Sequence, residues 1–350
     1  MSTLRVDNLT TLSGNGIAAD IASVSGAQLS NRNKVHNGDM RISQRYGTNA
    51  HTPSTTTRNY VIDRWAYWSN QASKASVQQV TDAPAGFYNS AKCTSLSAHT
   101  ADSGHWFGYL TTIEAQDIYD LAQGTANAKN ITLSFYVKSS ITGTWAAAVR
   151  TKPGSPSRSY PFNYTINSAN TWERKTITIP GDTTGTWNKG NSVGAKIIFS
   201  LGIGASFQTA NVSTWETRET MGTDDGQNLM ASTSNNLYLT GVQLEVGDTA
   251  TSFEHRSVGD ELIRCQRYFV KGRTRICFNG VTGRYGFRTL GQFNMRAAPT
   301  VTGSFATQGL GSVQGYGSDS TSTDVRQIYV QTTAGSGLDG TITYEATSEF

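Results

Sequence analysis

The 350-residue sequence predicts a mainly β fold: a jelly-roll-like β-sandwich with an extended N-terminal arm and a small C-terminal β-rich module. Charged residues make up only 15% of the chain, and Thr, Ser, Gly and Asn replace them, which favours short strands over helices. Apolar and polar residues alternate in short runs, as in strands with one buried face. Turn sequences such as Pro180-Gly181-Asp182 separate these runs, and many short strands between polar turns are typical of a sandwich.

The sandwich is predicted to occupy residues 56–256. Its sharpest alternation runs from Ile131 to Val137, where every second residue is large and apolar. Strand positions favour burial of three tryptophans: Trp65, Trp106 and Trp172.

One helix is predicted to interrupt the strands. The sequence Thr111-Thr112-Ile113-Glu114 matches a capping box, in which the Thr hydroxyl and the Glu carboxylate bind free backbone N–H groups. Ile113, Ile118 and Leu121 would then form the buried stripe, and Gly124 would end the helix.

Residues 1–55 are predicted to form an attachment arm. Leu4, Val6 and Leu9 line one side of a short extended segment and are the candidate anchoring residues. The arm has too few apolar residues to form its own core. It must therefore pack on its own body, on sister subunits or on a partner.

Residues 257–350 are predicted to form a separate distal module, with a short helix capped by Asp260 and then short strands. Leu262, Ile263 and Phe269 follow helical spacing and are the candidate contacts between subunits. The Gly/Ser/Thr-rich loops that follow gain order most easily between subunits, so oligomer contacts are expected here.

Charge and cysteine usage exclude several classes of protein. The net charge of +4, with no dense basic face, argues against nucleic-acid binding. Cys93, Cys265 and Cys277 form neither a disulfide framework nor a zinc site and suit folding in a reducing cytoplasm. The sequence predicts no signal peptide, no membrane insertion, no phosphate-binding loop and no bound cofactor.

A succession of short strings resembles a family of phage tail-fibre and virion-associated proteins, of the type found in marine bacteriophages. The strings cover residues 36 to about 270: residues 36–45 (HNGDMRISQR), 63–65 (DRW), 130–140 (NITLSFYVKSS), 164–167 (YTIN), 171–173 (TWE), 179–187 (IPGDTTGTW), 241–247 (GVQLEVG) and 253–267 (FEHRSVGDELIRCQR). No single string is diagnostic, but their order is specific. The last eighty or so residues match least.

The resemblance implies a sandwich similar to a carbohydrate-binding module, carried in a homotrimeric fibre on the virion and made in the host cytoplasm. The N-terminal arm would attach to other virion proteins, and the protein would contribute to adhesion to host-surface glycans without being an enzyme. Two alternatives stay open. One is a capsid decoration or head-fibre protein, and the other is a polysaccharide-degrading tailspike.

The candidate glycan contacts are Trp187, Trp215 and Tyr160, because sugar rings stack on aromatic faces and turn-rich surroundings expose the two tryptophans. A degrading enzyme would need paired carboxylates, for which Glu216 with Glu219 and Asp224 with Asp225 are the candidates. No catalytic residue and no metal ligand is assigned. A structural Ca²⁺ would bind through Asp182 or Asp248, although the sequence has no dedicated calcium loop.

Overall fold

β-Strands dominate the chain. The computed structural model describes residues 31–54, 56–151, 157–278, 283–289, 294–307, 313–318, 327–332 and 338–350. In chain order, the strands are β1 (Arg58–Ile62), β2 (Trp65–Ser69), β3 (Ala75–Val80), β4 (Ser90–Ser95), β5 (Trp106–Glu114), β6 (Ile131–Ser139), β7 (Gly143–Arg150), β8 (Ser159–Ile166), β9 (Glu173–Ile179), β10 (Val193–Ile203), β11 (Gln208–Thr209), β12 (Gly222–Thr223), β13 (Asn236–Val246), β14 (Phe269–Phe278), β15 (Gly283–Thr289), β16 (Thr300–Thr307), β17 (Val313–Ser318), β18 (Gln327–Thr332) and β19 (Leu338–Thr347). The helical segments are α1 (Val258–Gln266) and the 3-10 helices Ala115–Leu121, Ala205–Phe207 and Leu229–Ala231.

Two sheets packed face to face form the body. Among the described residues, one sheet has six strands in the order β1-β2-β5-β10-β7-β8, and the other has five in the order β3-β4-β13-β6-β9. Neighbouring strands in both sheets pair antiparallel. The chain passes repeatedly between the sheets, so strands that are neighbours in space are often distant in sequence. This architecture confirms the predicted jelly-roll-like sandwich.

The core lies between the two sheets and follows the predicted alternation. In β6, Ile131, Leu133, Phe135 and Val137 are all buried on the inner face. The ring of Phe135 lies 5.0 Å from that of Phe199 in the opposite sheet, and the two rings meet edge to face at 76°. Such pairs add to the free energy gained by burial. Because they prefer particular ring angles, they also determine how the two sheets are oriented.

The predicted capping box is wrong. Thr111 and Thr112 belong to strand β5, where Thr112 pairs with Lys196 of β10. Glu114 precedes the 3-10 helix Ala115–Leu121 but forms no side-chain cap. The helix is one short 3-10 segment that ends at Ala122, which has a φ of 52°, rather than at Gly124. Pairing with a central strand therefore overrides the local helix signal.

The described part of the predicted arm, residues 31–54, packs into the sandwich. Val35 and Met40 are fully buried in its core. The backbone N–H of Lys34 donates to the carbonyl of Leu244 at 2.9 Å, and the N–H of Val242 donates to the carbonyl of Gly38 at 2.9 Å. The boundary predicted at residue 55 therefore does not separate these residues from the body. Leu4, Val6 and Leu9 lie outside the described residues, and their anchoring role stays a prediction.

Three of the strings that carry the family resemblance meet in one buried place. The Asn37 side chain donates to the carbonyls of Ile42 at 2.9 Å and Asp63 at 2.8 Å. The Trp65 indole N–H donates to the carbonyl of Asn37 at 2.9 Å, and the backbone N–H of Asn37 donates to the Glu261 carboxylate. These strings therefore build structure, since buried polar groups such as Asn37 must find partners inside the protein.

The C-terminal module begins with helix α1. Its N-cap is Ser257, whose Oγ accepts from the backbone N–H of Asp260 at 3.1 Å, so the predicted cap at Asp260 is wrong by three positions. Two three-stranded sheets follow within the described residues, in the orders β14-β19-β16 and β15-β18-β17.

Buried ionic contacts join this module to the sandwich. Arg267 donates to the fully buried carboxylate of Glu114 at 2.7 and 2.9 Å, and Tyr268 donates to the same carboxylate at 2.5 Å. Arg64 of the sandwich forms an ion pair with Glu349, which follows β19. The described start and end of the module are therefore tied to the body, in contrast to the separate module that the sequence predicts.

The three candidate subunit contacts differ in exposure. Ile263 is 68% exposed and Leu262 is half-buried, so helix α1 leaves both available to a neighbour. Phe269 is only 2% exposed, and the guanidinium carbon of Arg45 lies 3.6 Å from the centre of its ring. Phe269 therefore packs inside its own chain, and its assignment as a subunit contact is wrong.

Two of the cysteines are buried thiols. Cys93 and Cys265 are free and lie in the interior. Burial raises the pKa of the Cys265 thiol well above its ordinary value, so the thiol stays protonated and unreactive. The side chain of Cys277 lies outside the described residues.

Candidate functional site

The three candidate glycan contacts come together in space. The ring of Trp187 lies 5.7 Å from that of Trp215 at an angle of 77°, and the ring of Tyr160 lies 5.3 Å from that of Trp215. Trp187 and Trp215 are half-buried and pack on the edge of the core. Tyr160 is only 2% exposed, so it supports Trp215 from inside and offers no face to a ligand. Its assignment as a sugar contact is therefore wrong.

Hydrogen bonds hold both indoles in place. The Trp187 Nε1–H donates to the Asp182 carboxylate at 3.1 Å, and the Trp215 Nε1–H donates to the carbonyl of Pro180 at 2.7 Å. Both N–H groups are thus used within the protein. The two tryptophans therefore present ring faces and edges, rather than polar groups, to the outside.

Asp182 organises the loop that carries Trp187. Its carboxylate accepts two hydrogen bonds from Arg158, at 3.0 and 2.9 Å, besides the one from Trp187. Burial alone would raise the pKa of Asp182, but the hydrogen bonds from Arg158 and Trp187 outweigh it and hold the pKa below its ordinary value. Since donors already occupy this carboxylate, the arrangement does not support Asp182 as a calcium ligand.

A glycine lets the loop approach the end of the 3-10 helix. Gly124 has a φ of +79°, and a Cβ there would lie 2.7 Å from the carbonyl oxygen of Gly185 and 3.0 Å from Cδ1 of Trp187. Its N–H also donates to the carbonyl of Asp182 at 2.7 Å. Only glycine combines this backbone conformation with so close an approach.

Trp187 and Tyr119 stand on the rim of one pocket of about 210 Å³, called the aromatic pocket below. The apolar residues in its lining are Ala115, Ile118 and Ala122. The polar residues are Gln123, Thr125, Asn188 and Lys189. Tyr119 is 65% exposed, and the ammonium of Lys189 lies 5.6 Å from the centre of its ring. The 3-10 helix and the loop that follows β9 thus place two aromatic side chains at one opening.

The polar rim can bind hydroxyl groups. The Asn188 Nδ2 donates to the carbonyl of Val193 at 2.8 Å, which leaves its Oδ1 as an acceptor with no partner among the described residues. Lys189 is exposed and supplies donors. Aromatic walls combined with a few polar groups suit one sugar ring. The volume lies below the roughly 300–1,000 Å³ of sites for drug-sized ligands, so a long sugar chain would fit only in part.

The candidate catalytic carboxylates are not paired across this pocket. Glu216 accepts hydrogen bonds from Thr209 and Asn211 at 3.2 Å, and Glu219 forms an ion pair with Arg150 at 2.9 Å. Asp225 accepts from Asn163 at 2.9 and 3.0 Å. The described residues that line the aromatic pocket include no carboxylate.

A second aromatic surface crosses the outer face of the five-stranded sheet. Tyr238 of β13 pairs with Lys92 on one side and Lys138 on the other, and Trp172 lies 6.1 Å from Tyr238. The Lys138 ammonium lies 4.3 Å from the Tyr238 ring and forms an ion pair with Asp82. Trp172 is half-exposed, as is Trp106 on the other sheet, so their predicted burial is wrong, whereas Trp65 is fully buried.

Metal and membrane sites are not found in the part of the chain that the structure describes. No group of three or more His, Cys, Asp or Glu side chains there could hold a metal ion. Asp248 accepts a hydrogen bond from Asn130 at 2.7 Å. None of the described helices is long and apolar enough to cross a membrane.

Comparisons with known proteins find similar architectures only at a distance. No family model matches the chain, and no curated protein matches it. Among solved structures, the enzymatically active domain of bacteriophage CBA120 tailspike protein 4 is 14% identical with a TM-score of 0.34; the match covers 61% of this chain and 21% of that one. A CBM4 structure is 16% identical with a TM-score of 0.34, covering 61% of this chain and 99% of that one.

The CBM22-1 xylan-binding domain of Paenibacillus barcinonensis Xyn10C is 10% identical with a TM-score of 0.29; the match covers 58% of this chain and 96% of that domain. This chain thus spans about a fifth of the tailspike chain and nearly the whole of the two modules. At these scores the likeness says nothing of ligands or activity.

Proposed function

We propose that this chain is a glycan-binding structural protein of a phage particle, a fibre subunit that binds host-surface saccharides without degrading them. The observation that carries the binding part is the aromatic pocket. There, Trp187 and Tyr119 flank an apolar floor, and Asn188 and Lys189 supply hydrogen-bonding groups at the rim. This combination suits a pyranose ring, whose apolar face stacks and whose hydroxyls need donors and acceptors.

The absence of paired carboxylates among the described lining residues supports binding over hydrolysis. A glycosidase needs an acid and a second carboxylate roughly 5–10 Å apart across the bond that it cleaves. Glu216 and Glu219, one of the two candidate pairs in the sequence, are engaged with other side chains outside the pocket.

The position on the particle rests on the family resemblance of the sequence strings. We infer a homotrimer attached to another virion protein through the N-terminal arm, with Leu4, Val6 and Leu9 as the candidate anchoring residues. Three weak sugar sites on one rigid stem would bind a repetitive polysaccharide far more tightly than one site, because the second and third contacts form at high effective concentration. Sedimentation equilibrium of the full chain tests this arrangement, and a monomer at micromolar concentration would contradict it.

Tyr119→Ala should weaken saccharide binding at each site about five- to tenfold, because one stacking face is lost. The chain is first screened on an array of bacterial surface polysaccharides, and the strongest ligand is then titrated calorimetrically as a short oligosaccharide. Tyr119 is 65% exposed, so its loss should leave folding intact.

Tyr88→Ala is the matched control, because Tyr88 is 71% exposed and lies outside the aromatic pocket. It should bind like the wild type. Equal affinities for wild type and Tyr119→Ala would remove the aromatic pocket as the sugar site.

A further inference from the structure

Lys196 is a buried cation on the six-stranded sheet. It lies on the central strand β10 of the six-stranded sheet, between Thr112 of β5 and Arg150 of β7. Its neighbour Ile197 belongs to the core, so Lys196 projects from the opposite, outer face. The residue is only 1% exposed, and its ammonium has no hydrogen-bond acceptor among the described residues.

The surroundings of Lys196 add positive charge. Arg58 and Arg150 are near enough to repel its ammonium, and Glu219 is the carboxylate that opposes them. Arg150 is itself 1% exposed, and its Nε has no partner among the described residues. Its guanidinium contacts Glu219 at 2.9 Å, and the Glu219 side chain is 46% exposed. Arg58 also donates to the Phe350 oxygen at 3.0 Å. The Lys196 ammonium and the Arg150 Nε thus lie without an acceptor in a place from which water is largely excluded, which is costly unless an anion joins them.

An aromatic surface adjoins these cations. The Lys196 ammonium lies 5.9 Å from the centre of the Trp68 ring, and the Arg58 guanidinium carbon lies 5.3 Å from it. Trp106 packs 5.5 Å from Trp68, and both rings are half-exposed. The buried Nε1–H of Trp106 has no acceptor in the described part of the chain. Ring faces and an unused donor therefore lie beside the excess positive charge.

We propose that Arg58, Trp68, Arg150 and Lys196 together bind the oxyanion of an acidic saccharide, with its carboxylate or sulfate between the cations. The sugar ring then packs against Trp68. The incoming oxyanion takes the place of the Glu219 carboxylate beside Arg150, and that carboxylate is exposed enough to move into water. The site is separate from the aromatic pocket, with which it shares no residue.

The protonation of Lys196 makes the site sensitive to pH. Burial, followed by repulsion from Arg58 and Arg150, lowers the pKa of Lys196 to about 7 in the empty protein. Lys196 is therefore the group of this cluster whose burial and cationic neighbours make its charge depend on pH near neutrality. Oxyanion affinity should therefore fall as the pH rises through 7.

The test titrates the full chain with glucuronate, with glucose 6-sulfate and with neutral glucose at constant ionic strength, by calorimetry and by thermal unfolding. The wild type should bind at least one acidic sugar saturably, and glucose much more weakly. Lys196→Met should lose about ten- to a hundredfold in affinity, as expected for a charge-assisted hydrogen bond. A response to glucuronate alone or to the sulfate alone identifies which oxyanion fits.

Lys138→Met is the matched control, because Lys138 is also buried and lies near aromatic rings, but its ammonium is paired with Asp82. It should keep the wild-type response, and so should Tyr119→Ala. The proposal is overturned if the wild type binds none of the acidic sugars, or if glucose binds as well as they do. It is also overturned if Lys196→Met binds the acidic sugars as the wild type does, or if the affinity does not change between pH 6 and 8.5.

Discussion

Glu349→Gln should lower the free energy of unfolding by about 3–5 kcal/mol, because it leaves a buried guanidinium without its carboxylate. Arg64 is 1% exposed on its side chain and Glu349 is 6% exposed. Arg64 also donates to the carbonyl of Thr112 and stacks on Tyr268, with 3.3 Å from its guanidinium carbon to the ring centre. Burial would lower the pKa of Arg64, but Glu349 more than compensates and keeps it above the ordinary value.

Urea unfolding of the full chain, followed by tryptophan fluorescence, measures this loss. Glu345→Gln is the control, because Glu345 pairs with Lys271 at 3.0 Å near the same end of the chain but the two side chains are 42% and 36% exposed. An exposed pair of this kind should contribute less than about 1 kcal/mol. Equal effects of the two substitutions would show that the junction between module and sandwich does not depend on the buried ion pair.

Gly38→Ala should destabilise the chain by about 3 kcal/mol or more, because a Cβ at residue 38 would lie 2.1 Å from the carbonyl oxygen of Val242. The obstacle is backbone, and it cannot move without breaking the bond from the N–H of Val242 to the carbonyl of Gly38. Val35 and Met40 on either side are buried in the core, so the whole segment would have to shift.

Gly104→Ala is the matched control, because a Cβ at Gly104 meets no atom within 4 Å. Its effect on the free energy of unfolding should stay within about 0.5 kcal/mol. If thermal unfolding gave the same midpoint for both variants, residues 31–54 would not be held in the body as described.

Periodicity predicted the body of the fold well. The alternation in Ile131–Val137 identified the inner face of β6, because a strand between two sheets must bury every second side chain. The sequence signals for helix ends gave wrong predictions where contacts between distant residues determine the local structure. Glu114 reads as part of a capping box, yet its carboxylate binds Arg267 and Tyr268, which lie more than 150 residues further along the chain. Likewise, Ser257 rather than Asp260 caps α1, since both residue types make good caps and their spacing allowed either.

The candidate site was predicted in part. Trp187 lines the aromatic pocket and was among the predicted glycan contacts, because a large aromatic residue in turn-rich sequence stands out; Trp215 packs beside it but is not part of the lining. Tyr119 was not predicted, because only the buried residues of its predicted helix were considered. In the structure it lies on a short 3-10 helix and is 65% exposed. Lys196 was not singled out from the sequence, because one lysine in an apolar strand belongs to no motif. The positive charges that repel its ammonium belong to Arg58 and Arg150, and only the order of the strands brings these residues near it.

The indole N–H resonance of Trp187 tests the central claim most directly. The ¹⁵N-labelled chain is titrated with the oligosaccharide that binds most strongly on the array, and the fully buried Trp65 serves as the internal reference. We expect the Trp187 signal to shift saturably, the Trp65 signal to stay in place, and the sugar to be recovered at its original length. An unmoved Trp187 signal at saturation, or a shortened sugar, would contradict binding without degradation in the aromatic pocket.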